Sequence, residues 1–219
     1  MAPVVAMAAF DLAALRTMRL PRAWYAREAT AVARALIGCI LVHEGSTSVG
    51  PRASRIVETE AYCGPRDQAC HARAGLTKRT RALLGEEGHA YVFFVYGMHD
   101  CFNVTCRGAG WGHAVLVRAG EPSWGFGQGT RLDGPGRFAR AMGIARSLDG
   151  ADLTSDTIYL CPRQSRPRIG VTARVGVGYA GHWADRPWRY FDAASQHVSK
   201  PPKRAIGRPA SSRSTTPAS

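Results

Sequence analysis

The apolar and polar positions along this chain mark a series of short strands with a few helical stretches between them. The clearest run is Arg55-Ile-Val-Glu-Thr-Glu-Ala-Tyr62. Read as a strand, it sends Ile56, Glu58, Glu60 and Tyr62 to one face and Val57, Thr59 and Ala61 to the other. Two carboxylates and a tyrosine on one strand face describe either a solvated edge or a catalytic surface. A second strong signal is the apolar stretch Ala90-Tyr-Val-Phe-Phe-Val-Tyr96. Strands over 91–96 and 101–105 then flank Gly97-Met98-His99-Asp100 as a hairpin, and the glycine suits a type II′ turn.

The remaining pattern fills in around these runs. Residues 1–19 are Ala-rich and partly helical in pattern. Helical spacing over 30–37 comes with Thr30 as N-cap and Gly38 as stop. A buried strand is expected over 39–43, a polar turn region over 44–54, and a break at Gly64-Pro65. Residues 67–84 are polar and basic and contain Lys78-Arg79-Thr80-Arg81. A strand over 113–118 leads into a glycine-rich loop over 121–136, followed by a short helix over 137–144. Short strands are expected at 158–160 and 174–177, with aromatic packing from 187–191. The domain is expected to span 21–198, after an N-terminal extension over 1–20. From Ser199 to the end, Pro, Ser, Thr and basic residues read as a disordered tail.

Composition sharpens this picture. The 219 residues are 45% hydrophobic, enough for one well-buried domain. The net charge is +13, of which five charges fall after residue 199 with no acid among them, leaving +8 on the body. A polyanion is therefore the first partner to consider. Lys78 is the only lysine before residue 200. The six cysteines form no C-x-x-C pair, so reduced thiols are expected and no metal or other cofactor is called for. No stretch reaches the roughly 18 apolar residues of a membrane span, and the N-terminus lacks a basic lead-in, so an intracellular protein is expected, cytoplasmic or in the nucleoid if bacterial.

The charge and the patterned faces point to one chemistry. A carboxylate and tyrosine face, His71, a hairpin tip carrying Tyr96 and Met98, and Asn103 on the return strand could line one cavity beneath a basic surface. An enzyme acting on a base within nucleic acid must draw that base out of the stack and fill the gap with a wedge. Large apolar groups at a hairpin tip suit such a wedge.

These residues are also recognisable. Arg55-Ile-Val-Glu-Thr-Glu-Ala-Tyr62, His71, Tyr96-Gly-Met98, Asn103, Arg118 and Arg174-Val-Gly-Val-Gly178 closely resemble the alkyladenine (3-methyladenine) DNA glycosylase family of mammals and many bacteria. The resemblance runs from about residue 30 to 191. It implies an α+β fold: a single mixed domain with a curved antiparallel β-sheet flanked by helices and a protruding hairpin that enters DNA. It also implies a monofunctional hydrolase of base excision repair that acts on double-stranded DNA containing damaged purines, and a monomer is expected of a protein that tracks along duplex DNA. By the same resemblance Glu60 is the general base, with Arg118 and the carbonyl of Val175 holding the attacking water. Tyr62, His71 and Phe93 would form the base pocket, with Asn103 refusing the 2-amino group of guanine. Tyr96 would intercalate with Met98 beside it, and Lys78, Arg79, Arg81 and His99 would meet the DNA backbone. Glu58 is read as salt-bridge or hydrogen-bond support.

Three departures stand out. Phe93 replaces a tyrosine of the mammalian members, His99 replaces an aromatic near the tip, and Glu86-Glu87 puts acid beside the presumed DNA path. Two other readings stay open on the sequence: a nucleic-acid-binding module without catalysis, and a hydrolase or transferase acting on a small nucleoside-like molecule.

Overall fold

The computed structural model of the chain describes residues 11–45, 50–95 and 97–200. It is an α+β fold in which one curled, antiparallel, eight-stranded sheet carries a few short helices. The strands are β1 (Ile40–His43), β2 (Arg52–Cys63), β3 (Ala90–Val95), β4 (His99–Cys106), β5 (His113–Trp124), β6 (Ile158–Cys161), β7 (Ile169–Thr172) and β8 (Arg189–Asp192). The main order is β3-β4-β5-β2-β1-β6, with β8 paired to both β2 and β7.

β2 is the centre of this arrangement. One of its edges pairs with β5 along nearly its whole length, while the other pairs with β1 over Arg52–Arg55 and with β8 over Glu58–Glu60. The carboxylate segment thus lies between two strands, and Glu58 and Glu60 are both fully buried. The solvated-edge reading is excluded.

The helices are α1 (Leu12–Thr17), α2 (Arg22–Tyr25), α3 (Ala29–Leu36) and α4 (Pro135–Met142). Ala29, Val32, Ala33 and Leu36 fall at helical i, i+3, i+4, i+7 spacing, and all four are buried in the main core. That core also takes in Ile56 and Ala61 of β2 and Val115 and Val117 of β5. The Thr59 hydroxyl donates to the Ala33 carbonyl at 2.9 Å, which ties helix to sheet.

Several expectations are corrected. Strict alternation put Ile56 on the face of Glu58 and Glu60, but register shifts between Ile56 and Thr59 mark a bulge, and Ile56 packs in the α3 core with Ala61. Thr30 lies inside α3, and Glu28 occupies the cap position without a capping side-chain bond. The polar region over 44–54 is shorter than expected, because β2 already begins at Arg52. The glycine-rich loop also begins late, because β5 continues to Trp124. α4 starts two residues early, at Pro135, whose fixed φ suits a first turn, and ends at Gly143 in the left-handed region (φ 71°). The strand expected at 174–177 is a bend instead, and the pairing segment is β7 just before it.

The hairpin of β3 and β4 pairs Val95 with His99 around three residues, with Gly97 at φ 67° and the Met98 amide bonded to the Val95 carbonyl. His99 and Asp100 are strand residues, so the four-residue connection expected over 97–100 is shortened, and strand pairing already closes at Val95 and His99. Tyr96, the expected wedge, lies outside the described residues, as does the tail beyond Lys200. Among the described residues no helix is long and apolar enough to cross a membrane.

Candidate active site

On the face of the sheet turned away from α3, alternation brings Glu58, Glu60 and Tyr62 of β2 beside Leu116 and Arg118 of β5. Glu60 is held at three points. The Tyr62 hydroxyl donates to its Oε2 at 2.9 Å, the Val175 amide donates to its Oε1 at 2.7 Å, and Arg118 Nη1 stands 3.3 Å from the same oxygen. Burial, then the neighbouring Glu60 charge, raise the Tyr62 pKa well above its usual range, so this hydroxyl is protonated and donates. Burial on its own would lower the pKa of Arg118, but the charges of Glu60 and Glu58 outweigh it and the net shift is upward. Arg118 is a fixed cation.

Glu58, two residues earlier, belongs to a different circle. Its Oε1 accepts from Arg118 Nε and Arg189 Nε, each at 2.8 Å. The Ser199 amide donates to its Oε2 at 2.6 Å, and the Ser199 hydroxyl to its Oε1 at 3.0 Å. All its bonds are internal, in line with the supporting role read from the sequence.

Tyr62, Arg118 and Val175, the three partners of Glu60, all line a cavity of about 400 Å³, within the range of roughly 300–1,000 Å³ common for ligand sites. Glu60 itself is not a wall of that cavity; it lies directly behind these three. His71, Arg79, Phe93 and Asn103 also contribute to the lining. His71 packs edge-on against Phe93 with ring centroids 4.5 Å apart. Its Nδ1 meets the Tyr91 hydroxyl at 2.9 Å. Burial, and secondarily the Arg79 charge, lower the His71 pKa to about 4, so the ring is neutral at neutral pH. Asn103 is buried and donates through Nδ2 to the carbonyls of Tyr91 (3.0 Å) and Cys101 (3.3 Å), which locks the amide in place.

The four basic residues expected at the DNA backbone divide. Arg79 lies over the Phe93 ring at 5.3 Å and faces the cavity. Lys78 and Arg81 line a separate shallow depression with Asp149. His99 is exposed and packs against Gly136, where a Cβ would come within 2.8 Å of it. At the tip, Met98 is 71% exposed.

The sequence reading missed what aims the Val175 amide. Arg174 and Asp67 form a fully buried pair, with contacts of 2.6 and 2.9 Å, and Arg174 also donates to the carbonyls of Ala61 (3.0 Å) and Trp183 (3.1 Å). The guanidinium sits 4.8 Å from the Tyr62 ring and 5.0 Å from that of Trp188. This clamp fastens the 174–177 bend to the end of β2. Tyr91 was also missed, although its i, i+2 spacing from Phe93 on a strand was a usable signal. Among the described residues, no group of three or more His, Cys, Asp and Glu side chains could hold a metal ion.

Comparison with known proteins adds to this geometry. A family model described as methylpurine-DNA glycosylase (MPG) matches residues 23–196. A protein of Myxococcus xanthus (strain DK1622) is 49% identical over 195 residues, covering 87% of this chain and 98% of its own. One from Anaeromyxobacter dehalogenans (strain 2CP-1 / ATCC BAA-258) is 48% identical over 188 residues, 84% of this chain and 87% of its own. One from Methanocella arvoryzae (strain DSM 22066 / NBRC 105507 / MRE50) is 44% identical over 193 residues, 83% of this chain and 96% of its own. Each of the three bears the provisional name 3-methyladenine DNA glycosylase.

Proposed function

The chain belongs to the methylpurine-DNA glycosylase family, and from that premise we propose that it works as a monomer that turns an alkylated purine out of duplex DNA and hydrolyses its N-glycosidic bond with a water activated by Glu60. The observation that carries this reading is the position of Glu60, a buried carboxylate whose every partner is a wall of the cavity. A carboxylate offers roughly four acceptor positions. Hydrogen bonds take two of these, one on each oxygen, and Arg118 adds an ion pair to Oε1 at 3.3 Å, which leaves Oε2 able to accept one water proton.

In the reaction, the water oxygen bonds to C1′ of the extruded nucleotide as the bond to the purine nitrogen breaks, and the water proton passes to Glu60. A purine alkylated at N3 or N7 carries a positive charge and leaves as a neutral base, so no acid is required to expel it. Positive charge developing on the sugar is stabilised by the same carboxylate. The aromatic rings of Tyr62 and Phe93, with neutral His71, form a clamp suited to a cationic base. Asn103, locked by its two carbonyl bonds, is a rigid stop against a base with an extra amino group. Tyr96 fills the vacated stack with Met98 beside it, and the excess of basic residues holds the phosphates.

Cleavage of the DNA backbone would need an amine nucleophile. Lys78 is exposed and lines a depression apart from the cavity, so simple hydrolysis is expected and borohydride should trap no protein–DNA adduct. The deciding experiment is release of free base from methylated DNA, or from duplexes containing ethenoadenine or hypoxanthine. Wild-type protein should release base and Glu60→Gln should not, while still binding the duplex. A Glu60→Gln protein that releases base at the wild-type rate would end this reading. Lesion-independent binding without any release would favour the module without catalysis.

A further inference from the structure

Arg118 presents three nitrogens, and each has its own partner: Nη1 faces Glu60, Nε bonds Glu58, and Nη2 donates to the Ser199 hydroxyl at 3.3 Å. Ser199 Oγ in turn donates to Glu58 Oε1 at 3.0 Å, and its amide donates to Glu58 Oε2 at 2.6 Å. The following residue is fastened as well, since Arg189 Nη2 donates to the Lys200 carbonyl at 2.5 Å. From these contacts we propose that Ser199 is a positioning residue for base excision, closing a ring through Glu58 and Arg118 that sets the angle at which Arg118 meets Glu60. Ser199 lies three residues past the end of the family match and at the head of the stretch whose composition reads as a tail. The inference rests on the catalytic reading of Glu60 given above.

What Ser199 controls is an angle. Glu58 alone fixes Arg118 at Nε and leaves the guanidinium free to pivot about that contact. A second fixed contact on Nη2 removes the pivot, so Nη1 can only point at Glu60 Oε1. Ser199 can do this because one hydroxyl both accepts from the guanidinium and donates to the carboxylate. Its amide bond to Glu58 holds the main chain in place whichever small side chain stands at 199. The side chain can therefore be altered without unfastening the segment.

The test uses the full-length protein, with single-turnover base release, duplex affinity and thermal midpoint measured together. Ser199→Ala should slow release about tenfold, less than the roughly hundredfold that a misplacement of about 1 Å can cost in an active site. Affinity and midpoint should stay near wild type, and Ser199→Thr should restore the rate. Ser195→Ala, which loses a hydroxyl bond to Glu121 instead, should release base at the wild-type rate. In an Arg118→Lys background, which has no fork to align, Ser199→Ala should cause little further loss. A readout independent of turnover is the Arg118 Nε–H resonance, expected to move in Ser199→Ala and not in Ser195→Ala. Unchanged release by Ser199→Ala, an equal loss in the Arg118→Lys background, or an unmoved resonance would each overturn the proposal. If wild type is active, Glu60→Gln is dead and Ser199→Ala is fully active, only this inference falls. If Glu60→Gln stays active, the catalytic reading falls and takes this one with it.

Discussion

The amide of Val175 donates a 2.7 Å hydrogen bond to Glu60 Oε1, joining residues 115 positions apart in the chain. A bend, not a strand, delivers that amide, and the bend is fastened next door by Arg174 to Asp67. The acid at the centre of the proposed chemistry is thus oriented from three sides: by its own strand through Tyr62, by the adjacent strand through Arg118, and by a distant loop through Val175.

Asp67→Ala should be among the most damaging substitutions in the protein. It leaves the Arg174 charge buried without its partner and removes the acceptor used by the amides of Cys63 and Ala69. Breaking a buried pair in this way costs about 3–5 kcal/mol. Urea unfolding measures it, and a loss below about 1 kcal/mol would show that the clamp does not hold the bend.

Tyr62→Phe keeps the ring against the cavity and deletes the hydrogen bond to Glu60 Oε2. An acceptor left unsatisfied in a buried site costs about 1–3 kcal/mol. Stability should drop by that amount and base release should slow, while duplex affinity stays close to wild type. Wild-type stability in this variant would mean that the contact contributes nothing net.

His71 should titrate near pH 4 by NMR, far below a free imidazole, because burial and Arg79 both oppose its charge. In the window from about 4 to the ordinary value near 6.5, the unfolded chain is protonated here and the folded one is not. The unfolded state then binds more protons, so His71 makes stability rise with pH across that window and fall on acidification. His71→Gln should flatten this part of the stability profile. A His71 midpoint at or above the ordinary value near 6.5 would contradict the lowered pKa on which this prediction rests.

Tyr96→Ser should slow single-turnover excision more than it weakens binding to undamaged duplex, since the phosphates supply most of the sequence-independent affinity. Raising the salt concentration should weaken binding of both proteins with the same slope, because the substitution removes no charge. Equal excision rates for the two proteins would count against a wedge at this position.

Much of the framework was legible because strands and helices leave periodic marks. The alternation of residues 55–62 located β2 and put Glu58, Glu60 and Tyr62 on one face, and helical spacing located α3 within a residue at each end. The misplacement of Ile56 has a simple cause. Period-2 reading assumes an unbroken ladder, and the bulge between Ile56 and Thr59 adds a step that no local pattern marks. The boundaries of the hairpin turn failed for a related reason: its length depends on which residues of β3 and β4 pair, and Val95 with His99 is a choice made between strands.

The sequence by itself determined the basic composition and the strand that sets Glu58, Glu60 and Tyr62 on one face, because these are matters of residue type and short-range spacing, while the choice of Glu60 as base and of an aromatic clamp rested on the family resemblance. Only the tertiary structure decided that the two carboxylates of one face have different partners, that Val175 meets Glu60 through its amide, and that Ser199 reaches Glu58. The physical reason is that a buried charge takes whichever donors the whole fold brings to it. Apart from Tyr62, two positions along the same strand, those donors stand between 58 and 141 residues away, at distances that spacing along the chain does not encode.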